Sequence, residues 1–349
     1  MQDAHQKFLI IRLSSIGDIV HALPAVSALG RTHPQAEIHW IVEARHARLL
    51  EGNPFVHRVI TIDTHAWRKS LTSGATLSAI WKEIKTLRRE HYDAAIDFQG
   101  LYKSALIGWL SGARERLGFA ESRLREPAAG FFYSTRIAAR GVEHVIELNF
   151  ALLESLGVPR LERAQWEFPL PSIREDEEFV AHALEGQGTK DFIILNPGGG
   201  WQSKCWSPDN YAELIRSCAP ELGCGFLLTG SPAEEPLIRR IIEQSGVPRA
   251  RYFPSTVTQF IALARRARLL VAGDTGPLHL ATAVRTPVVA LFGPTDPARN
   301  GPFSPEDITL WNWGTIDYTR RAVNAGYLSG ISVESVAAAL RRRLGITHE

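Results

Sequence analysis

The chain has 349 residues, of which 45% are hydrophobic and 22% charged, and a formal net charge of +2. That length carries two domains of ordinary size, and the composition excludes a disordered chain. So small a net charge does not imply nucleic acid through bulk electrostatics, the absence of an extended basic stripe disfavours it, and any site for an acidic partner has to be local.

Apolar β-rich runs alternate with amphipathic segments almost throughout. The first strand is predicted at 8–13 and leads into RLSSIGDIVHALP, residues 12–24. There a small-residue turn, Ser14-Ser15-Ile16-Gly17, precedes Asp18 and opens a helix at 18–32. Such a strand-to-helix turn usually presents backbone N–H groups to an anion. An aspartate there repels phosphate, so Asp18 either caps the helix, a role worth ~1 kcal/mol, or does chemistry. Ser14 and Ser15 already offer capping oxygens. His21 falls one turn further along the same face, where packing is the ordinary role.

Strands follow at 37–43, 58–63 and 93–98, with helices at 44–52, 74–91 and 101–111. HAWRKSL at 65–71 and RLREP at 123–127 supply Arg68, Lys69 and Arg125. Singly these are ordinary surface charges. Gathered with Arg12 on one side of a cleft, they would receive a phosphate- or carboxylate-bearing partner. Helix 144–157 stops at Gly157, with Pro159 beyond it. The proline-marked stretch VPRLERAQWEFPLP then reads as an interdomain connection, spanning about 158–175.

After it the alternation restarts. Strands are predicted at 191–196, 225–229, near 251–253, 268–273 and 287–292. Helices are predicted at 208–219, 233–245, 256–266 and 277–284. A final helix at 332–344 could pack back on the first domain. Alternation twice over means an α/β chain of two doubly wound, Rossmann-like domains, 1–165 and 176–330, followed by the C-terminal helical segment 331–349. In such folds ligands sit beyond the carboxyl ends of the strands, and two such domains facing each other place a cleft there.

Three loops of the second domain can carry chemistry. In NPGGGWQSKCW, 196–206, Gly198-Gly199-Gly200 lets the backbone approach an anion and Lys204 adds a compact positive charge; the alternative is a flexible turn. In LTGSPAEEP, Glu234 stands where a carboxylate can hold ribose hydroxyls, although a first-turn helix acid needs no such function. In GDTGPLHLATA, 273–283, Asp274 and Thr275 leave a strand, Gly276 turns, and Pro277 starts a helix. The N–H groups of Thr275, Gly276 and Leu278 would then point at an anion with His279 close by, unless this is an ordinary capped turn. Cys205, Cys218 and Cys224 are odd in number and lack C-x-x-C spacing. That favours a reducing cytoplasm over a disulfide framework or a zinc site. No apolar run approaches the ~20 residues of a spanning helix, and MQDAHQKF carries no apolar signal-peptide core.

RLSSIGDIVHALP, PGGGWQSKCW, LTGSPAEEP, DTGPLHLA and LFGPTDP resemble, in order and spacing, the bacterial ADP-heptose lipopolysaccharide heptosyltransferases of glycosyltransferase family nine. WRK, DFQGLYKSAL and REPAAGFFY look most like the type I members, which add the first heptose to the Kdo of the inner core. The Gly198-Gly199-Gly200 loop reads more like the wider family, and Arg12 stands where a lysine is often found. The resemblance implies a GT-B fold and an inverting, metal-independent transfer in which Asp18 is the catalytic base. By the same resemblance Lys204 and the Thr275-Gly276 turn carry the departing diphosphate, with His279 nearby. Glu234 matches a ribose-binding acid and Asp274 a donor-site acid that would meet the sugar hydroxyls. Arg68, Lys69 and Arg125 match acceptor-side basic positions suited to Kdo and lipid A phosphates. The implied partners are ADP-heptose, a Kdo-lipid A or inner-core acceptor and, transiently, a membrane surface. The implied location is the cytoplasm, peripheral at the inner face of the inner membrane. The alternatives are the same fold using another nucleotide-activated sugar or acceptor, a nucleotide-sugar epimerase of this fold, and a nucleotide-sugar-binding protein without turnover.

Overall fold

The computed structural model describes residues 6–69, 73–186, 188–312, 316 and 326–346, without the side chains of His65, Arg68, Lys69 and Ala75. The chain divides into two compact units, Met1–Pro169 and Leu170–Glu349. Each is built on one six-stranded sheet whose paired strands are all parallel.

The first sheet has the order β3-β2-β1-β4-β5-β6, with β1 Lys7–Ile11, β2 Glu37–Glu43, β3 Arg58–Ile62, β4 Ala94–Asp97, β5 Glu115–Phe119 and β6 Thr135–Ile137. Its helices are α1 (Ile16–Thr32), α2 (Thr64–Lys69), α3 (Gly74–Arg89), α4 (Tyr102–Leu110) and α5 (Val145–Leu153). β1 is central and reads Phe8-Leu9-Ile10-Ile11, all buried, as a strand covered on both faces must be. α1 is buried along nearly its whole length, from Ile19 to Leu29. Asn149 of α5 donates to the His21 carbonyl of α1 at 2.9 Å, so the two helices are joined by a hydrogen bond as well as by apolar contact.

The second sheet has the order β12-β11-β10-β7-β8-β9. Its strands are β7 Phe192–Asn196, β8 Gly225–Leu228, β9 Ala250–Tyr252, β10 Leu269–Gly273, β11 Val288–Phe292 and β12 Ile308–Trp311. Around it lie α6 (Arg174–Gly186), α7 (Pro208–Leu222), α8 (Glu235–Ser245), α9 (Val257–Ala264), α10 (Gly276–Ala283), α11 (Pro297–Asn300) and α12 (Val333–Arg343).

Several elements differ from the sequence expectations. Residues 44–50 form 3-10 turns rather than an α-helix, burying only Leu49 and Leu50. β5, β6 and β12 have no counterpart among the expected strands. ERLGF mixes charges and glycine into its run, TRI has three residues, and ITLW is only half-buried. α6 opens inside the stretch read as a connection; its sequence REDEEFVAHALEG hides one short apolar stripe, Val180 and Leu184, behind an acidic first turn. The C-terminal helix α12, expected against the first domain, packs on α7, β11 and β12 of the second unit. The Trp206 indole donates to the Ile331 carbonyl at 2.9 Å, and Val336 and Leu340 are fully buried in that unit's core.

Candidate active site

In the first unit the turn between β1 and α1 holds Asp18 through Ser15 and Arg12. One carboxylate oxygen, Oδ2, accepts the Ser15 backbone N–H at 3.0 Å and the Ser15 hydroxyl at 2.9 Å. The other, Oδ1, pairs with the Arg12 guanidinium. Asp18 is therefore itself half of the helix cap, in the Ser-x-x-Asp pattern of a capping box, and the serines do not relieve it of that duty. Its side chain nonetheless remains 40% exposed, within reach of a ligand, while that of Arg12 is 9% exposed.

The loop after β4 braces this turn, and sequence reading did not assign it a role. Gln99 Oε1 accepts the Leu13 and Ser14 N–H groups at 2.8 and 3.3 Å, and the Phe98 carbonyl accepts from Arg12. Asp97 anchors the loop from beneath. It accepts from the N–H groups of Gln99 and Gly100, the Ser104 hydroxyl and the Tyr133 hydroxyl, at 2.7–3.1 Å. Burial pushes the Asp97 carboxyl up from its ordinary value, and these neutral donors only partly offset that. The DFQG string was visible in the sequence, but its role depends on the register that sets Phe8–Ile11 beside Ala94–Asp97.

In the second unit, the loops after β7, β8 and β10 meet at the carboxyl edge of the sheet. Gly198 lies against the Glu234 carboxylate so closely that a side chain there would overlap it. A side chain on Gly273 would stand 2.5 Å from the Lys204 carbonyl oxygen. Glu234 Oε2 accepts the Ser231 N–H at 2.6 Å and hydroxyl at 2.8 Å, the same arrangement that holds Asp18. Lys204 lies 4.7 Å from the centre of the Trp201 ring and pairs with Asp274. Its ammonium also reaches the Asp274 carbonyl at 3.3 Å.

Asp274 is the hub of this edge. Beside Lys204 it accepts from Thr295 at 2.7 Å on Oδ2, and Oδ1 meets Asn300 at 2.7 Å and His279 Nε2 at 3.1 Å. Four partners fill the roughly four lone-pair directions of a carboxylate. Burial alone would raise its pKa, but the His279 hydrogen bond and the charges of Lys204 and His279 outweigh burial and hold Asp274 well below the usual carboxylate range. The Cys205 thiol is pushed up to about 11 by burial and by the Glu234 charge, so it stays protonated at neutral pH.

The structure thus brings together Gly198, Gly199, Lys204, Glu234, Asp274, Thr275 and His279, with Gly199 beside the Thr275 methyl and Gly200 on the exposed rim of the loop. Gly276 opens α10, where an N–H has no intrahelical partner. Leu278 differs from expectation: it is buried, and its N–H turns back to the Thr275 carbonyl at 3.1 Å. Arg12 differs as well, being buried and committed to Asp18 and Phe98 instead of facing an acceptor. Arg125 is exposed, and the side chains of Arg68 and Lys69 lie outside the described residues. His21 is buried with its ring edge-on to His144, centroids 6.2 Å apart. Among the described residues, one cluster could offer a metal three ligands, Glu37, His39 and Glu90. It lies at the amino ends of the strands, and the Lys7 ammonium already bridges Glu37 and Glu90 at 3.0 and 2.9 Å.

Residues 80–324 match glycosyltransferase family 9 (heptosyltransferase). The chain belongs to this family. As a family 9 glycosyltransferase it is 31% identical to lipopolysaccharide heptosyltransferase 1 of Pseudomonas aeruginosa, over 87% of this chain and 83% of that protein. It is 30% identical to the enzyme of the same name from Escherichia coli K12, over 84% of this chain and 90% of that one. Its fold superposes on the E. coli heptosyltransferase WaaC, solved with ADP, with a TM-score of 0.79 at 25% identity, covering 97% of this chain and all of that one. The two doubly wound units of this family 9 chain are accordingly those of a GT-B glycosyltransferase.

Proposed function

We propose that this protein transfers heptose from ADP-heptose to the Kdo-bearing inner core of lipopolysaccharide, with inversion at the anomeric carbon and without a metal. The observation that carries this reading is the meeting of the glycine loop, Lys204, Glu234 and the start of α10 at one sheet edge. In this reading Glu234 holds the ribose hydroxyls, and Gly198, having no side chain, lets that carboxylate sit against the glycine loop. Lys204 and the α10 N-terminus at Thr275 and Gly276 supply the positive potential that a departing diphosphate requires. Asp274, with its lone pairs filled, holds Lys204 and His279 in place; this assigns it a positioning role rather than contact with sugar hydroxyls.

Asp18 takes the proton from the acceptor hydroxyl as that oxygen bonds to the anomeric carbon. The bond from that carbon to the diphosphate oxygen breaks on the opposite face, ADP leaves, and configuration inverts. Arg12 orients the base. Arg125, with Arg68 and Lys69, receives the acceptor's anionic groups. Since the acceptor is a lipid, the protein works as a peripheral partner of the inner membrane's inner face. No helix among the described residues is long and apolar enough to cross a membrane.

The test is to incubate the protein with a panel of ADP- and UDP-sugars and deacylated Kdo-lipid A, and to identify the product by mass. A product heavier by one heptose, formed from ADP-heptose alone, supports the reading. Transfer of a different sugar would replace it, and no transfer at all would favour a binding protein.

A further inference from the structure

The first unit leaves a cluster of aromatic side chains in solvent. Tyr102 and Trp109, both 49% exposed, stand two turns apart on one side of α4, and Phe131, 86% exposed, follows on the 3-10 turn at Pro127–Phe132. Phe132 joins them: its ring meets Tyr102 edge-on at 5.2 Å and lies 6.0 Å from Trp109. The neighbouring helix α3 adds Leu77 and Trp81, one turn apart and 46% and 59% exposed. Its C-terminal end is tied to α4 by Arg88, whose Nε donates to the Leu110 carbonyl at 3.1 Å. Single exposed apolar residues need no explanation, but a run of large rings on adjoining elements does.

The stretch of chain that carries these rings is basic. Residues 74–140 hold eleven Lys and Arg against seven Asp and Glu, so this stretch alone exceeds the +2 excess of the whole chain. Lys82, Lys85, Arg88, Arg89 and Arg123 are exposed, as is Arg114, which pairs with Asp93 at 3.1 Å. Several of the acids are already engaged. Asp97 is buried, Glu90 pairs with Lys7 and Arg58, and Glu121 pairs with Arg136. Glu126 accepts the Tyr102 N–H at the start of α4. Tyr102 and Trp109 combine an apolar body with a polar edge, Phe131 and Phe132 are wholly apolar, and such rings on a basic stretch of chain suit the interface of a bilayer carrying negative charge.

We propose that the Tyr102–Trp109–Phe131–Phe132 face of the first unit, flanked by α3, is the surface by which this protein docks on an anionic lipid bilayer. The inference rests on the reading above only in supplying a reason for docking, since an acceptor embedded in lipid must be met at the bilayer surface. The rings enter the headgroup layer and the surrounding cations face lipid phosphates, so binding combines an apolar part with a salt-sensitive part.

Co-sedimentation tests it with vesicles of phosphatidylglycerol and phosphatidylcholine in equal parts against phosphatidylcholine alone. The wild-type protein should bind the anionic vesicles, more weakly as salt rises, and bind the neutral ones poorly. Trp109→Ser with Phe131→Ser should weaken binding about tenfold or more, from the loss of two buried rings. Phe131→Ser alone, at a position too exposed to matter for folding, should weaken it in the same direction. Transfer to a deacylated, water-soluble acceptor should be unchanged in both variants, which separates this surface from the reaction. Wild-type protein left in the supernatant with every vesicle would overturn the proposal. So would variants that bind like wild type, even if the face then proved to bind another protein. Failure of transfer to the soluble acceptor by wild-type protein would count against the proposed reaction and leave the docking surface standing.

Discussion

Asp18 receives both the backbone N–H and the hydroxyl of Ser15 on one carboxylate oxygen, at 3.0 and 2.9 Å. Glu234 holds Ser231 in the same way in the second unit, at 2.6 and 2.8 Å. Each acid closes a capping box at a βα turn and still has carboxylate surface left for a ligand. Removing either therefore has two effects, a structural one of about 1 kcal/mol and a functional one that depends on the ligand.

Glu234→Gln should separate these effects. If the carboxylate holds ribose hydroxyls, affinity for ADP and for adenosine should fall together by ~10–100-fold, the range for hydrogen bonds to a charged group. Affinity for inorganic diphosphate should not move. Calorimetry showing equal losses for all three ligands would mean that the substitution has collapsed the turn and that the ribose role is wrong.

Lys204 and Asp274 make a different prediction, because both are largely withdrawn from solvent, at 15% and 3% side-chain exposure. Lys204→Ala should weaken ADP binding and raise the barrier to transfer by ~2–4 kcal/mol, as expected for a group opposite developing charge. Unchanged ADP affinity with normal turnover would make the glycine loop a plain turn.

Asp274→Asn should destabilise the protein by about 3 kcal/mol at neutral pH, because it leaves the partly buried Lys204 without its counter-charge. The folded pKa of Asp274 lies below its unfolded value. Its stabilisation is therefore fully present above the ordinary carboxylate range and is lost as pH falls through that range toward the folded value. Urea unfolding at pH 7 and pH 3 should show the gap between wild type and variant narrowing by about 1 kcal/mol. A gap that widens in acid would contradict the assignment of the shift.

Much of this could be read from the residues in order, and the part that could not has a physical cause. The Gly198–Lys204 loop and the Asp274–His279 turn are local strings whose chemistry is written in consecutive residues. The central strands, such as β1 and β7, are continuous apolar runs. The polar helix α6, the short edge strands β6 and β12 and the charge-bearing strand β5 bury too little to leave a periodic signal. Pairings across the fold were invisible for another reason. Gln99 reaches Leu13 and Ser14 over 85 or more residues, and Thr295 and Asn300 reach Asp274 over 21 and 26. Only the parallel register of the strands brings these side chains together.

Gln99→Ala tests the first of those pairings. It leaves two N–H groups of the Ser14 turn without their acceptor and loosens the segment that carries Asp18. Transfer should slow by about tenfold, corresponding to roughly 1–1.5 kcal/mol for the lost bonds, while the KM for ADP-heptose stays put. A rise in donor KM with unchanged kcat would show that Gln99 serves the donor and not the base.

Chelation addresses the metal. The proposed mechanism draws its positive potential from Lys204 and the α10 N-terminus, so dialysis against EDTA should leave the rate of transfer unchanged. Loss of activity restored by a divalent cation would show that the leaving group is stabilised by a metal after all.

The proposed proton transfer to Asp18 is decided by comparing Asp18→Asn with wild type. Three quantities are measured on the same samples: transfer rate at saturating substrates, ADP affinity by calorimetry, and thermal unfolding. The rate should be lower by ~10²–10⁴-fold, the contribution of a positioned base. ADP affinity should be unchanged, with only the modest loss of stability that follows from weakening the Ser15 cap and the Arg12 pair. A transfer rate within a few-fold of wild type, with lowered thermal stability, would make Asp18 a helix cap alone and contradict the mechanism.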